Sequence, residues 1–198
     1  MTDQTAIIDF EPAARRVTAL LGGVSDDQLG APTPCGTYSV GDLLDHFMGL
    51  TLGMRYAAEK TTAAAGPEAP APGQGSADRL DLDWRQELPR RLDALVEAWR
   101  DPAAWEGSTE AGGVTLPAEV MGVVALDELV IHGWDLARAT GQPYDCDPRS
   151  AEGVIGWPVR VPGRGAPEGV VRACRPRAGR RVAVGPRGRP QRPGPGVA

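Results

Sequence analysis

Four stretches of this chain carry apolar residues at alternating three- and four-residue steps, and glycine or proline bounds each of them. That spacing places the apolar side chains on one face of a helix. Four such faces must then be buried against one another. In the first stretch, residues 8–22, the face comprises Ile7, Phe10, Ala14, Val17, Leu20 and Leu21, and Gly22-Gly23 ends it. Ser25-Asp-Asp-Gln28 has the spacing of a capping box and predicts a short turn. The loop 30–36 contains two prolines, which forbid regular helix. Ser39-Val-Gly-Asp42 is a second cap, and it opens a helix reaching about Lys60 with Leu43, Leu44, Phe47, Leu50, Leu52 and Met54 mainly on its apolar side.

Residues 61–77, rich in Ala, Pro and Gly, predict a mobile loop. A third helix is expected over residues 78–99, with Leu80, Leu82, Trp84, Leu88, Leu92, Leu95, Val96 and Trp99 facing the core. Pro89 is expected to kink or split it. Gly112-Gly113 marks a turn. Pro117 suits the first position of a fourth helix that runs to about Thr140, where Gly141 supplies the stop. An alternating strand pattern is almost absent, so the predicted fold class is all-α, a four-helix bundle over residues 1–150.

Residues 151–198 break the pattern. Gly and Pro fill 18 of these 48 positions and Arg fills ten, with no helical or strand period after about Trp157. This composition predicts an irregular, disordered tail. Charge divides at the same place: residues 1–150 hold 11 basic and 24 acidic side chains, whereas the tail holds 10 and 2. The chain has a single Lys against 20 Arg, as expected of a GC-rich gene. A shifted reading frame in such a gene yields Arg, Pro, Gly and Ala, so the expected origin of the tail is a frameshift near residues 155–160, in the gene or in its sequence record.

The acidic segment would repel phosphates, and the basic tail lacks aromatic interleaving. Nucleic acid is therefore not an expected partner. The three cysteines, Cys35, Cys146 and Cys174, form neither a paired framework nor a Cys-x-x-Cys, which fits a reducing cytoplasm. The N-terminus places acids before its basic pair and has no apolar signal-peptide core. No apolar run approaches the roughly 18–20 residues needed to span a bilayer. The expected location is cytoplasmic, with no membrane partner.

The chain has two histidines, His46 and His132, each on a predicted helix among apolar residues. Glu128 precedes His132 by four positions, which puts both side chains on one helical face, about 5–6 Å apart at Cβ. A Glu and a His so placed can grip a divalent ion from one side, and His46 on an antiparallel neighbour can complete three ligands. Three N/O ligands with an open position describe a catalytic zinc site. By spacing alone, a histidine on an apolar face is more often a satisfied core residue than a ligand.

The segment from Pro32-Thr-Pro-Cys-Gly-Thr-Tyr to Asp-Leu-Leu-Asp-His46, together with Glu128-Leu-Val-Ile-His-Gly-Trp-Asp-Leu-Ala-Arg-Ala-Thr-Gly141, resembles the DinB-like superfamily. More closely, these segments look like the branch holding the N-terminal, metal-binding domain of mycothiol-dependent maleylpyruvate isomerase. The resemblance covers about residues 8–150. It implies a four-helix bundle with a divalent metal, usually zinc, held by His46, Glu128 and His132. It also implies mycothiol as thiol cosubstrate in bacteria that make it. Where the family commonly has Trp this chain has Tyr38, which keeps an aromatic ring. The full isomerase has a C-terminal domain that helps form its active site, so the resemblance does not extend to maleylpyruvate isomerisation itself.

A metal lowers the pKa of a thiol it binds, and thiolate is the reactive nucleophile. The expected function is therefore a thiol-dependent transferase or isomerase acting on a small electrophile. The alternative is a non-catalytic metal-binding protein linked to stress or interaction. Asp135, three residues after His132, is either an orienting partner of that imidazole or half of a surface pair with Arg138. Asp42 is expected to cap its helix, Trp134 to line core or pocket, and Cys35 to be a small buried loop residue rather than a thiol at the site. No general base stands out.

Overall fold

A computed structural model describes residues 7–36, 38–61, 75–147 and 150. The tail and its frameshift reading lie outside the described residues, as does most of the loop expected to be mobile. The described residues contain four helices, α1 (Glu11–Leu21), α2 (Val40–Glu59), α3 (Trp84–Arg100) and α4 (Ala118–Thr140), and a small antiparallel sheet of β1 (Ser108–Ala111) and β2 (Val114–Pro117).

The helix ends follow from local chemistry. Pro12 lies in the first turn of α1, where its missing N–H costs nothing. At the start of α2 the Asp42 N–H donates to the Ser39 hydroxyl, and the Ser39 N–H donates to the Asp42 carboxylate at 2.8 Å. This is the capping box that the spacing predicts. The last residue before α4 is Pro117, and Gly141 closes the helix with φ of 70°. A left-handed backbone there favours glycine.

Helix α2 packs against α3 and α4, and α1 packs against the same two. Val17, Leu43, Leu44, Phe47, Leu88, Leu92, Leu126, Leu129 and Leu136 are fully buried between them. Each such side chain contributes about 1.5–3 kcal/mol by leaving water. At one end Phe10 stacks on Trp99 with ring centroids 5.6 Å apart, and Trp105 meets Trp99 edge-on at 5.1 Å. Both indole N–H groups are satisfied, by the carbonyls of Met54 and Trp99 respectively. Burying these rings therefore leaves no orphaned donor.

Three expectations change. Helix α3 begins at Trp84, after a separate turn at Ala77–Arg79, and Leu82 is 97% exposed instead of facing the core. The Asp81 carboxylate accepts the Asp83 N–H at 2.9 Å, and this local bond competes with helix at that point. Pro89 does not split α3, because buried Leu88, Leu92, Leu95 and Trp99 hold the helix on both sides of the one lost hydrogen bond. The hairpin is the third departure. Gly112 and Gly113, with φ of 57° and 77°, join strands in which Thr109 pairs with Leu116. The buried Thr109 hydroxyl donates to the Ala57 carbonyl and fastens the hairpin to the end of α2. Among the described residues, no helix is long and apolar enough to cross a membrane.

Candidate metal centre

Helix α4 is buried on most of its circumference, which carries Glu128 and Asp135 into the interior with it. A buried carboxylate is costly unless a charged or donor group faces it. Glu128 Oε2 lies 3.0 Å from His132 Nε2, one turn along the same helix, and 3.5 Å from His46 Nε2 on α2. The two imidazole rings stand edge to face with centroids 4.9 Å apart. The structure thus brings together the three residues expected as ligands, and one donor atom from each lies within 4.8 Å of the others. Helix α2 supplies His46 one turn after buried Leu43 and next to Phe47, whose ring meets that of His132 edge-on at 6.1 Å.

Asp135 settles the orientation of His132. Its Oδ2 is 3.1 Å from His132 Nδ1, and the side chain is 4% exposed. Arg138, the alternative partner, is exposed on the following turn. A carboxylate accepts, and the ring meets one at each nitrogen, Asp135 at Nδ1 and Glu128 at Nε2. A neutral imidazole has one N–H, so the second contact needs a positive charge, either a further proton or a cation. Ligand atoms of a tetrahedral zinc with bonds of about 2.0–2.1 Å are about 3.4 Å apart. The separations of 3.0 and 3.5 Å bracket that edge. The residues therefore fit a divalent ion in both chemistry and spacing. His46 has the most exposed side chain of the three, at 20%, so the group opens to solvent on the α2 side.

Two neighbouring segments frame the histidines. Before α2, the Thr33 N–H and hydroxyl both donate to the Tyr38 carbonyl and tie these two residues together. This segment holds the Tyr38 ring 5.5 Å from that of His46. It also places Cys35 beside His132 and Asp135, half-buried, with one donor atom from each of the three within 4.8 Å of the others. Cys35 is thus next to the site and not a buried loop filler. Its distance in sequence from α4 gave no signal of this.

The second segment contains residues 75–79, part of which was expected to be mobile. Its backbone N–H groups at Gly75, Ser76 and Ala77 donate to the Tyr38 hydroxyl, Asp45 and Asp42 respectively. Arg79 pairs with Asp45 at 3.2 Å. The Ser39 hydroxyl, then the Ser39 and Ala77 N–H groups, hold the Asp42 carboxyl below its usual range, against a small opposing effect of burial. Asp42 is accordingly a capping and strap-holding residue, away from the histidines' donor atoms. A cavity lined by Pro12, Arg16, Tyr144, Cys146 and Ser150 includes none of the candidate ligands.

With the fold and the convergent His–Glu–His group established, the comparison with known sequences defines the class. The chain belongs to the family of the mycothiol maleylpyruvate isomerase N-terminal domain, a DinB-like branch, whose sequence profile matches residues 10–137. It is also similar to uncharacterized proteins of Mycobacterium tuberculosis from strains CDC 1551 / Oshkosh and ATCC 25618 / H37Rv. Each is 31% identical, over 74% of this chain and 77% of the relative. No solved structure matches the chain.

Proposed function

We propose that the helices form a DinB-type four-helix bundle that holds one divalent metal, zinc in the first instance, through His46, Glu128 and His132. The observation that carries this reading is the convergence of His132 Nε2 and His46 Nε2 on Glu128 Oε2, at 3.0 and 3.5 Å, while Asp135 engages His132 Nδ1. An ion bound there lowers the pKa of a coordinated thiol, so that thiolate is present near neutral pH. Asp135 keeps the His132 ring in the tautomer and rotation that aim Nε2 at Glu128. Glu128 offsets positive charge in a nearly dry setting. The partly exposed edge of His46 leaves an approach for a thiol and a small electrophile.

Family membership supports mycothiol as the thiol and transfer or isomerisation as the reaction. The test has two stages. Purified full-length protein is analysed for bound zinc, which should be stoichiometric in wild type and lost in His132→Ala. The loaded protein is then assayed for mycothiol transfer to small electrophiles. Stoichiometric metal with no transfer would favour the non-catalytic metal-binding reading, and absence of metal under zinc-replete conditions would defeat both.

A further inference from the structure

His132 belongs to two donor groups. Its Nε2 lies near Glu128, with His46 on the same carboxylate oxygen, and Asp135 contacts its Nδ1. Cys35 and Asp135 form the second group with His132, one ligand atom of each within 4.8 Å of the others. The two groups differ in chemical softness. The first offers nitrogen and carboxylate oxygen. The second adds a sulfur atom, and thiolate favours soft or borderline cations. From these placements we propose a second, thiophilic cation position formed by Cys35 Sγ, Asp135 and His132 Nδ1.

This position goes beyond the site proposed above and does not require it, because His46 and Glu128 take no part. Binding there replaces protons with the ion. The Cys35 thiol gives its proton to solvent as the S–metal bond forms. The His132 Nδ1 proton also leaves, and the ring takes the other neutral tautomer, with hydrogen on Nε2. A neutral imidazole has only one lone pair. The same ring therefore cannot serve both positions without becoming an anion, and the two positions compete. An ion at Cys35 also occupies the Asp135 carboxylate that orients His132 toward Glu128. The second position thus acts as an inhibitory one toward the first, with soft ions favouring it.

Cobalt(II) is the probe, because a thiolate ligand gives it a charge-transfer absorption that nitrogen and oxygen ligands do not. Metal-free, reduced, full-length protein is titrated with cobalt in wild type and in Cys35→Ser, Asp135→Asn and His46→Ala. The thiolate band should appear in wild type and persist in His46→Ala. It should vanish in Cys35→Ser, which excludes Cys146 and Cys174 as its source, and weaken at least about tenfold in apparent affinity in Asp135→Asn. Pre-loading wild type with one equivalent of zinc should suppress it. Loss of the band in His46→Ala would place Cys35 on the first ion and overturn a separate position. Retention in Cys35→Ser, an unchanged affinity in Asp135→Asn, or no band at saturating cobalt would do the same. Failure of zinc to bind with the cobalt band intact would instead count against the first site alone.

Discussion

Glu128 Oε2 lies 3.0 Å from His132 Nε2, one helical turn back along α4. A four-residue step on one helix fixes this pair before any tertiary contact forms. Folding then adds His46 from α2, so the group depends on the packing of α2 against α4 for its third member. Loss of either histidine should therefore have different structural consequences but the same effect on metal.

His132→Ala and His46→Ala should each reduce zinc affinity by more than the about 10–100-fold typical of removing an outer partner. Metal analysis after dialysis should find no stoichiometric zinc in either. Retention of a full equivalent by His46→Ala would remove α2 from the ligand set.

Asp135→Asn preserves shape but replaces a charged acceptor with an amide. It should weaken zinc binding by about 10–100-fold, because Nδ1–H loses the partner that fixes ring and tautomer. Competition with a zinc indicator measures this. An unchanged affinity would reduce Asp135 to a buried hydrogen-bonding group with no bearing on the ion.

The capping of α2 should be pH-dependent. The Asp42 carboxyl is held below its usual value by Ser39 and Ala77, so its stabilising effect is present above the unfolded value of about 3.9 and is lost as pH falls through the lower folded value. Asp42→Ala should cost about 1 kcal/mol at neutral pH and clearly less near pH 3. Urea denaturation at the two pH values gives the comparison. Equal costs at both would mean that the charge of Asp42 is irrelevant to the cap.

These expectations draw unequally on what the sequence makes legible. The apolar steps of Val17, Leu20, Phe47 and Leu126, and the caps at Ser39 and Gly141, are local signals, and the structure has helices at those places. Glu128 and His132 are legible for the same reason. The start of α3 is not, because Leu80, Leu82 and Trp84 mimic a helical face while Asp81 closes a turn among them. The hairpin escapes period counting because each strand has only four residues and Thr109 alone is buried. Its two adjacent glycines between Thr-containing segments were the available sign. Cys35 and the strap at residues 75–79 meet the histidines only through long-range packing, which spacing does not encode.

That strap supplies a prediction that links fold to site. A Cβ added at Gly75 would lie 1.9 Å from the Asp42 carbonyl oxygen and 3.0 Å from His46 Cβ. The first obstacle is the backbone of α2, which cannot rotate aside. Gly75→Ala must therefore lift the strap from α2, weakening the hydrogen bonds from Gly75, Ser76 and Ala77 to Tyr38, Asp45 and Asp42. Overpacking of this kind costs about 1–3 kcal/mol. Gly30→Ala serves as the control, since a Cβ there meets nothing within 4 Å. Thermal melting should fall for Gly75→Ala and change little for Gly30→Ala. Zinc affinity should fall with it, because the strap buttresses the turn of α2 that carries His46. If Gly75→Ala melts like wild type, the strap is not seated on α2 in solution. If it melts lower but binds zinc normally, the first turn of α2 positions His46 without the strap.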